Sequence, residues 1–218
     1  MAVLVETKDC TALSDSELTE MADLCAEGPI QYEAGLLSKQ ADEWVLVSLA
    51  REGNKLKGFA FSTLERIGGT PSVVVGVASI RRVAKRDTLL RQVMADLYHR
   101  AVMAFPDEDV LVGVKMVEPC AYDAFKGLSD ICPRPEYRPS GEERAWGRRL
   151  AKRFSLAKYD DRAFVATGDG SIPLVFDFSG TKDPDPDIAA QFTALETDRG
   201  DCLIAFGWAM AEDLLKHT

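Results

Sequence analysis

The chain has 218 residues, 35 acidic and 26 basic side chains, a net charge of -9 and a hydrophobic fraction of 46%. This length fits a single domain over residues 1–218, and the composition is ordinary for a soluble globular protein. The acidic balance argues against general binding of nucleic acid or anionic membranes, which need a broad basic surface. The N-terminus lacks a basic flank and the apolar runs are too short to span a bilayer, so a cytoplasmic protein is expected.

The N-terminal half predicts one helix and three strands. Ser14 and Glu17 form a capping box that opens a helix ending near Gly28. Alternating and β-branched apolar runs then predict strands over residues 44–50, 56–66 and 72–80. Turn residues at 52–54 and 68–69 separate these strands, which predicts antiparallel hairpins.

The C-terminal half continues with a long helix and a buried strand. Apolar residues at helical spacing predict a helix over 87–103, followed by a strand over 110–117 and a short helix over 122–125. Three prolines mark a loop, and then come a basic helix over 142–154 and strands over 163–167 and 202–208. The order predicts a mixed α/β sheet with helices on both faces, a core over about 12–139 and a C-terminal extension from about 140.

The sequence argues against several common chemistries. His99 lies within the long helix and His217 is the second-last residue, so neither suits a Ser-His-Asp or Cys-His mechanism. Five widely spaced cysteines predict reduced thiols, and without clustered His or Cys no metal site is expected. Asp183, Asp185 and Asp187 have the spacing that begins a calcium loop. Its later glycine and glutamate are missing, which favours a solvated loop.

The most informative unit joins a buried strand to a long amphipathic helix. A valine-rich strand at 73–77 leads into a turn with four cations: Arg81, Arg82, Lys85 and Arg86. A helix N-terminus already presents free N–H groups and a partial positive charge. Cations concentrated there, in an acidic protein, suggest that an anion such as phosphate binds in front of them. A solvated basic turn is the alternative explanation.

This unit resembles the core of the Gcn5-related N-acetyltransferase (GNAT) superfamily. The resemblance spans roughly residues 12–128 and rests on the element order, the unit at 73–101 and the segment at 118–128. In that family the turn reads Arg/Gln-x-x-Gly-x-Gly/Ala. Here it reads Arg81-Arg82-Val83-Ala84-Lys85-Arg86, with alanine and arginine at the two small positions. Leu89-Leu90 match the paired leucines that usually follow.

The resemblance implies acetyl-CoA, or another acyl-CoA, as the cofactor. In the family, backbone N–H groups of the turn cradle the pyrophosphate, and a strand N–H from residues 76–80 would hold the thioester carbonyl. The residues so implied are Val77, Ala78, Ser79, Ile80, Arg81, Arg82, Ala84, Lys85, Arg86, Asp87 and Thr88. We expect strands 72–80 and 110–117 to be parallel and to separate at their C-terminal ends, leaving a cleft for the thioester.

The resemblance also implies a tyrosine that protonates the leaving thiolate. Phe125 occupies the family's usual position, and Tyr122 lies three residues earlier, so Tyr122 is the candidate acid. Packing against the core is the alternative role for Tyr122. Glu65 near the end of its strand and Glu118 just beyond its strand are the candidate bases, or else ordinary surface residues.

These features together predict an acyl-CoA-dependent N-acyltransferase with a GNAT-like, mostly antiparallel sheet. The expected reaction is direct transfer of an acetyl group to an amine of a small molecule or protein. The expected partner is such an amine acceptor, while nucleic acid and membranes are not expected and a homodimer is left open.

Two other functions remain open. One is a catalytically silent relative that binds or regulates, which the missing turn glycines and Phe125 favour. The other is a synthase that joins a long acyl chain to an amino acid, in line with a more distant resemblance to N-acyl amino acid synthases. That enzyme would need an apolar tunnel between the separated strands.

Overall fold

The computed structural model describes residues 3–214, which are organised around one large sheet. The strands are β1 (Val3–Asp9), β2 (Leu46–Glu52), β3 (Lys55–Ile67), β4 (Thr70–Ile80), β5 (Val110–Met116), β6 (Ser129–Cys132), β7 (Tyr159–Asp160), β8 (Val165–Ala166), β9 (Phe176–Asp177) and β10 (Cys202–Ala209). The α-helices are α1 (Asp15–Cys25), α2 (Ala34–Glu43), α3 (Arg86–Ala104), α4 (Gly141–Arg153), α5 (Pro186–Ala190) and α6 (Ala211–Leu214).

The sheet runs in the order β1-β2-β3-β4-β5-β10-β8-β7, with β6 paired to β10 and β9 paired to β4. β4 is parallel to β5 and to β9, whereas its pairing with β3 and the pairings of β1 with β2 and of β5 with β10 are antiparallel. Parallel neighbours need a crossover, and α3 provides it between β4 and β5. This mixed, mostly antiparallel sheet confirms the fold expected from the GNAT resemblance.

Helices cover both faces of the sheet. Asp96 of α3 accepts hydrogen bonds from Thr7 of β1 and Ser48 of β2, so α3 lies on one face. Arg51 lies three residues beyond Ser48 and hence on the opposite face of β2, where it pairs with Glu20 of α1 at 2.6 Å. The predicted placement of helices on both faces is therefore confirmed.

Most predicted elements are present, with boundaries shifted by a few residues. The capping box at Ser14 opens α1, and the same arrangement at Ser140 opens the basic helix α4. The short helix expected at 122–125 is a 3-10 helix over Pro119–Phe125. The strand expected over 163–167 is reduced to the two residues of β8, and the loop expected over 182–187 runs into α5.

The structure describes all five cysteines and one of the two histidines. All five cysteines are free, and His99 is exposed on α3. His217 lies outside the described residues. Within residues 3–214, no helix is long and apolar enough to cross a membrane.

β4 and β5 pair near the start of each strand and then separate. Their register runs from Ser72 opposite Leu111 to Val75 opposite Val114, which confirms the predicted parallel pair. A β-bulge in the β3–β4 pairing follows Val75 and turns β4 away from its neighbour. The gap is occupied by β9, which pairs with the C-terminal part of β4. The prediction of an open cleft at this place was therefore wrong.

Gly76 marks the point of separation. A Cβ atom on Gly76 would lie 2.2 Å from Cε2 of Trp44, so the indole can reach the backbone of β4 because residue 76 has no side chain. Trp44 is fixed from its other side, since its Nε1 donates to Gln40 at 3.1 Å and its ring packs 6.3 Å from that of Phe154. Gly76 thus allows α2 and α4 to be tied to the sheet through one tryptophan.

Gly76→Ala should therefore lower the free energy of unfolding by about 1–3 kcal/mol, the usual cost of overpacking a core. The matched control is Gly35→Ala on α2, where an added Cβ meets no atom within 4 Å. That change should leave the stability unchanged or raise it by up to about 1 kcal/mol, because alanine favours helix over glycine. Urea denaturation of both variants measures the two values, and equal effects would contradict the role given to Trp44.

Candidate functional site

The cations at the turn between β4 and α3 have partners within the chain. Arg81 lies 3.4 Å from Glu27, and Lys85 lies 3.8 Å from Glu52. Both pairs are partly solvated, so each adds little to stability. They nevertheless reduce the positive charge that would attract a pyrophosphate to this turn.

Arg82 holds a segment of the C-terminal extension, residues 173–181, which we call the strap. Nη2 of Arg82 lies 2.9 Å from Oδ1 of Asp177 on the strap, and Asp177 has no exposed surface. Ser79 of β4 donates to the other carboxylate oxygen of Asp177 at 3.2 Å. The carboxylate of the strap therefore lies where the sequence predicted an anion.

Arg86 and Asp87, at the start of α3, bind the far end of the strap. The Arg86 guanidinium donates from Nε to the carbonyl of Ser179 and from Nη2 to the carbonyl of Gly180, both at 2.6 Å. The Thr181 backbone N–H donates to Asp87 at 3.1 Å, and the Thr181 hydroxyl also contacts that carboxylate. The first turn of α3 is thus committed to the strap.

The middle of the strap is part of the core. Val175, Phe176 and Phe178 have no exposed surface. The N–H of Ala78 on β4 donates to the carbonyl of Val175 at 3.3 Å. Tyr32 fixes the strap further, because its hydroxyl donates to the Pro173 carbonyl at 2.8 Å and accepts from the Val175 N–H at 3.2 Å.

The residues implied to bind acyl-CoA divide into three groups. Buried residues on β4 are Val77, Ala78, Ser79 and Ile80, of which Ala78 and Ser79 bond the strap. A second group consists of charged residues that form ion pairs or hydrogen bonds with other residues of the chain: Arg81, Arg82, Lys85, Arg86 and Asp87. Exposed on the turn are Ala84 and Thr88. The strap occupies the space between β4 and β5 in which the resemblance places the acyl arm of the cofactor.

Tyr122, the candidate acid, is buried beside this region. Its hydroxyl donates to the Pro133 carbonyl at 2.9 Å, and its ring packs edge-on against Phe125 and Phe192. Burial raises the pKa of Tyr122, which makes it a weaker proton donor. The ring borders a cavity of about 500 Å³ between the 3-10 helix and Lys182, but the hydroxyl is engaged by backbone.

Glu65 lies away from the strap. It pairs across the ladder with Ser72 of β4, six residues before Ala78, or about 20 Å along the strand. Its carboxylate contacts Arg153 of α4. The structure therefore does not bring Glu65 together with the other candidate residues.

Glu118 lies directly beyond β5, next to the strap. It is half-buried and borders a cavity of about 450 Å³ with Ile30, Pro173 and Asp198. Burial raises the pKa of Glu118, and the nearby Asp177 carboxylate raises it further. A raised pKa makes a carboxylate a stronger base, which is the direction that a general base requires. Tyr122 and Glu118 each border a cavity, and the cavity at Glu118 lies beside the groove, by which we mean the gap between β4 and β5 that the strap fills.

Lys115 of β5 is a buried cation that sequence reasoning missed. Only 7% of its surface is exposed, and its Nζ lies 4.9 Å from the ring centre of Phe154. Within residues 3–214 it forms no ion pair. Burial lowers its pKa, against smaller opposing effects of Cys202 and Glu43. The visible signal was a single lysine within the apolar strand Val110–Met116.

Asp177 was missed for a comparable reason. It stands alone in the apolar run Leu174–Phe178, and a charged residue inside such a run is buried only when it has a partner. The partner, Arg82, lies 95 positions earlier in the chain. Nothing in the local pattern identifies a partner at that distance.

The wider comparisons concern the fold. Neither a protein-family model nor a curated protein matches this chain. The structure is similar to a ribosomal-protein-S18-alanine N-acetyltransferase from Escherichia coli, with a TM-score of 0.39, 12% identity, and coverage of 64% of this chain and 86% of that chain. It is also similar to an acyl-CoA N-acyltransferase from Pseudomonas aeruginosa, with a TM-score of 0.42, 18% identity, and coverage of 58% and 86%.

A third similar structure extends over nearly the whole chain. It is an IAA acetyltransferase from Bacillus cereus, with a TM-score of 0.42, 8% identity, and coverage of 95% of this chain and 100% of that chain. These structural neighbours are acetyl- or acyltransferases. At such identities they concern the fold, and their substrates are not transferred to this chain.

Replacing Lys115 should change how stability depends on pH. Because its folded pKa lies below the usual lysine value, burial of the charge costs stability at neutral pH. That cost disappears as pH rises from the folded pKa to the unfolded value of about 10.4. Lys115→Met should thus be more stable than the parent protein at pH 7, by about 1–2 kcal/mol, with a gap that narrows toward pH 10.5.

The control for this measurement is Lys55→Met, since Lys55 is exposed at the start of β3. It should show no pH-dependent gap. Chemical denaturation at several pH values gives each free energy of unfolding. A Lys115→Met protein less stable than the parent at pH 7 would mean that the ammonium makes a net stabilising contact.

Proposed function

We propose that this chain is a catalytically silent protein of acyltransferase-like fold, which acts by binding rather than by acyl transfer from CoA. The observation that supports it is the strap, which occupies the gap between β4 and β5 and contacts the residues that the sequence assigned to the cofactor. The cavity beside Glu118 stays accessible. Its carboxylates, Glu118 and Asp198, favour a small amine as the ligand.

The size of the buried surface favours this proposal over a mobile strap. Burying Val175, Phe176 and Phe178 contributes about 5–9 kcal/mol, at roughly 1.5–3 kcal/mol for each side chain. A whole domain is typically stable by about 5–15 kcal/mol. An acyl-CoA that binds with micromolar affinity gains about 8 kcal/mol, so displacing the strap would consume most of its binding energy.

The second candidate is the acyl-CoA-dependent N-acyltransferase, with acetyl-CoA as donor and an amine of a small molecule or peptide as acceptor. The observation that favours it is Glu118, a carboxylate of raised pKa at the edge of the groove. This function requires a conformation in which the strap leaves β4. A long-chain N-acyl amino acid synthase would need its apolar tunnel in the space that Phe176 and Phe178 fill.

Calorimetric titration distinguishes the two candidates. The parent protein should show no saturable binding of CoA, acetyl-CoA or a longer acyl-CoA up to about 1 mM, a concentration that detects affinities as weak as about 4 kcal/mol. Saturable micromolar binding would contradict the silent function.

Strap variants make the same titration sharper. Phe176→Ala combined with Asp177→Ala removes one buried ring and the carboxylate of the strap. The control Phe105→Ala removes a buried phenylalanine just beyond the C-terminus of α3. If acetyl-CoA binds the strap variant but neither the parent nor the control, the strap covers a working donor site. If acetyl-CoA binds none of the three proteins, the result supports a protein that does not use acetyl-CoA.

Hydrogen exchange tests the mobility of the strap without any ligand. The Ala78 amide is the reporter, because it donates to the Val175 carbonyl of the strap. If the strap is part of the core, this amide should exchange as slowly as those of Val73 to Val75, through global unfolding. Faster exchange at Ala78, with slow exchange in the rest of β4, would show that the strap detaches and would favour the acyltransferase.

A further inference from the structure

Three arginines line a cavity that lies apart from the strap. Arg138, Arg144 and Arg162, together with Pro139, line a space of about 330 Å³. They come from three separate segments: the loop after β6, the start of α4 and the turn between β7 and β8. This cavity is distinct from the strap and from the cavity beside Glu118.

Local hydrogen bonds fix the backbone at two of these arginines, Arg144 and Arg162. The capping box between Ser140 and Glu143 sets the first turn of α4, from which Arg144 projects. The backbone N–H of Arg162 donates to Oδ1 of Asp160 at 2.8 Å. Arg144 and Arg162 are therefore carried on constrained backbone, and Arg138 lies on the loop just before α4.

The charge at this cavity is not balanced within residues 3–214. Arg138 and Arg162 form no ion pair there, and no carboxylate lines the cavity. Arg144 reaches Asp161 at 3.7 Å, but Arg148 holds that same carboxylate more closely. In a chain of net charge -9, like charges gathered around a hollow are unfavourable unless an anion joins them.

A second hollow lies beside the first and shares Pro139 and Arg162 with it. It measures about 460 Å³ and is bordered by Tyr137, which is 39% exposed. The guanidinium carbon of Arg134 lies 3.5 Å from the centre of the Tyr137 ring, which holds that ring in place. An organic group attached to the anion can therefore rest against an aromatic surface.

We propose that this pair of hollows binds a small phosphate monoester. The phosphate lies among Arg138, Arg144 and Arg162, because guanidinium forks match two phosphate oxygens at once. The organic body lies against Tyr137 in the neighbouring hollow. Carboxylates of Glu136 and Asp187 border that hollow, so a ligand with a single anionic group at one end fits better than one charged at both ends.

Calorimetry with phenyl phosphate at low salt tests this site. The parent protein should bind phenyl phosphate more tightly than inorganic phosphate, and benzoate more weakly than either. Raising the salt concentration should weaken binding, since the arginines are solvent-accessible. No detectable phenyl phosphate binding at millimolar ligand would overturn the proposal.

Matched variants locate the site. Arg138→Gln with Arg162→Gln should weaken phenyl phosphate binding at least tenfold, whereas Lys39→Gln with Lys55→Gln, the same change in net charge at exposed positions elsewhere, should leave it unchanged. Tyr137→Ala should weaken phenyl phosphate and spare inorganic phosphate. Equal losses in the two double variants would show a general charge effect, and tighter binding of a phosphoserine peptide than of phenyl phosphate would replace the small ligand by a protein partner.

Discussion

Backbone hydrogen bonding at the separation of β4 from β5 is the constraint on which the centre of this fold depends. Two strands that diverge inside a protein leave N–H and C=O groups that must find other partners, and each buried group left without one costs about 1–3 kcal/mol. Here the strands part after Val75 and Val114, and β9 continues the ladder on β4. The strap therefore completes the sheet as well as covering it.

The electrostatics of the same region follow from that insertion. Asp177 enters the core on the strap and needs a cation, and Arg82 supplies it at 2.9 Å. Removing one member of a buried ion pair costs about 3–5 kcal/mol, because the other charge is left without compensation. A turn rich in cations thus has two physical explanations, an external anion or a carboxylate from a distant part of the chain, and this structure has the second.

Elements encoded by patterns within a few residues could be predicted from the sequence, whereas the strap that fills the groove could not. The capping box at Ser14 and the helical spacing of α3 are encoded within a few residues, and both elements were predicted correctly. β1 alternates between partly buried and exposed residues at the edge of the sheet, a weak signal that sequence analysis missed. The two residues of β9 are too few for any periodicity, and their position depends on contacts with β4 about a hundred residues away.

The site predictions divide along the same line. Glu118 lies beside the groove because it directly follows a strand whose end was predicted within one residue. Tyr122 was named the candidate acid because it lies three residues before Phe125, the position that the resemblance implies. Its hydroxyl nevertheless bonds Pro133, and no spacing rule gives the direction of a side chain on a 3-10 helix. Glu65 was predicted to lie near the cleft because it is near the end of its strand. The register of β3 on β4 instead places it opposite Ser72, at the end of β4 away from the strap.

The strap also explains how this turn can lack the glycines of the GNAT motif. Glycine is needed where backbone N–H groups must approach a phosphate closely. At this turn the contacts to the strap are made by the side chains of Arg82 and Arg86, which reach across the gap. Side-chain contacts of this length do not require a backbone free of Cβ atoms, so Ala84 and Arg86 are compatible with the turn. The strap thus brings apolar side chains and one carboxylate to this turn, where Arg82 and Arg86 bind them with their side chains.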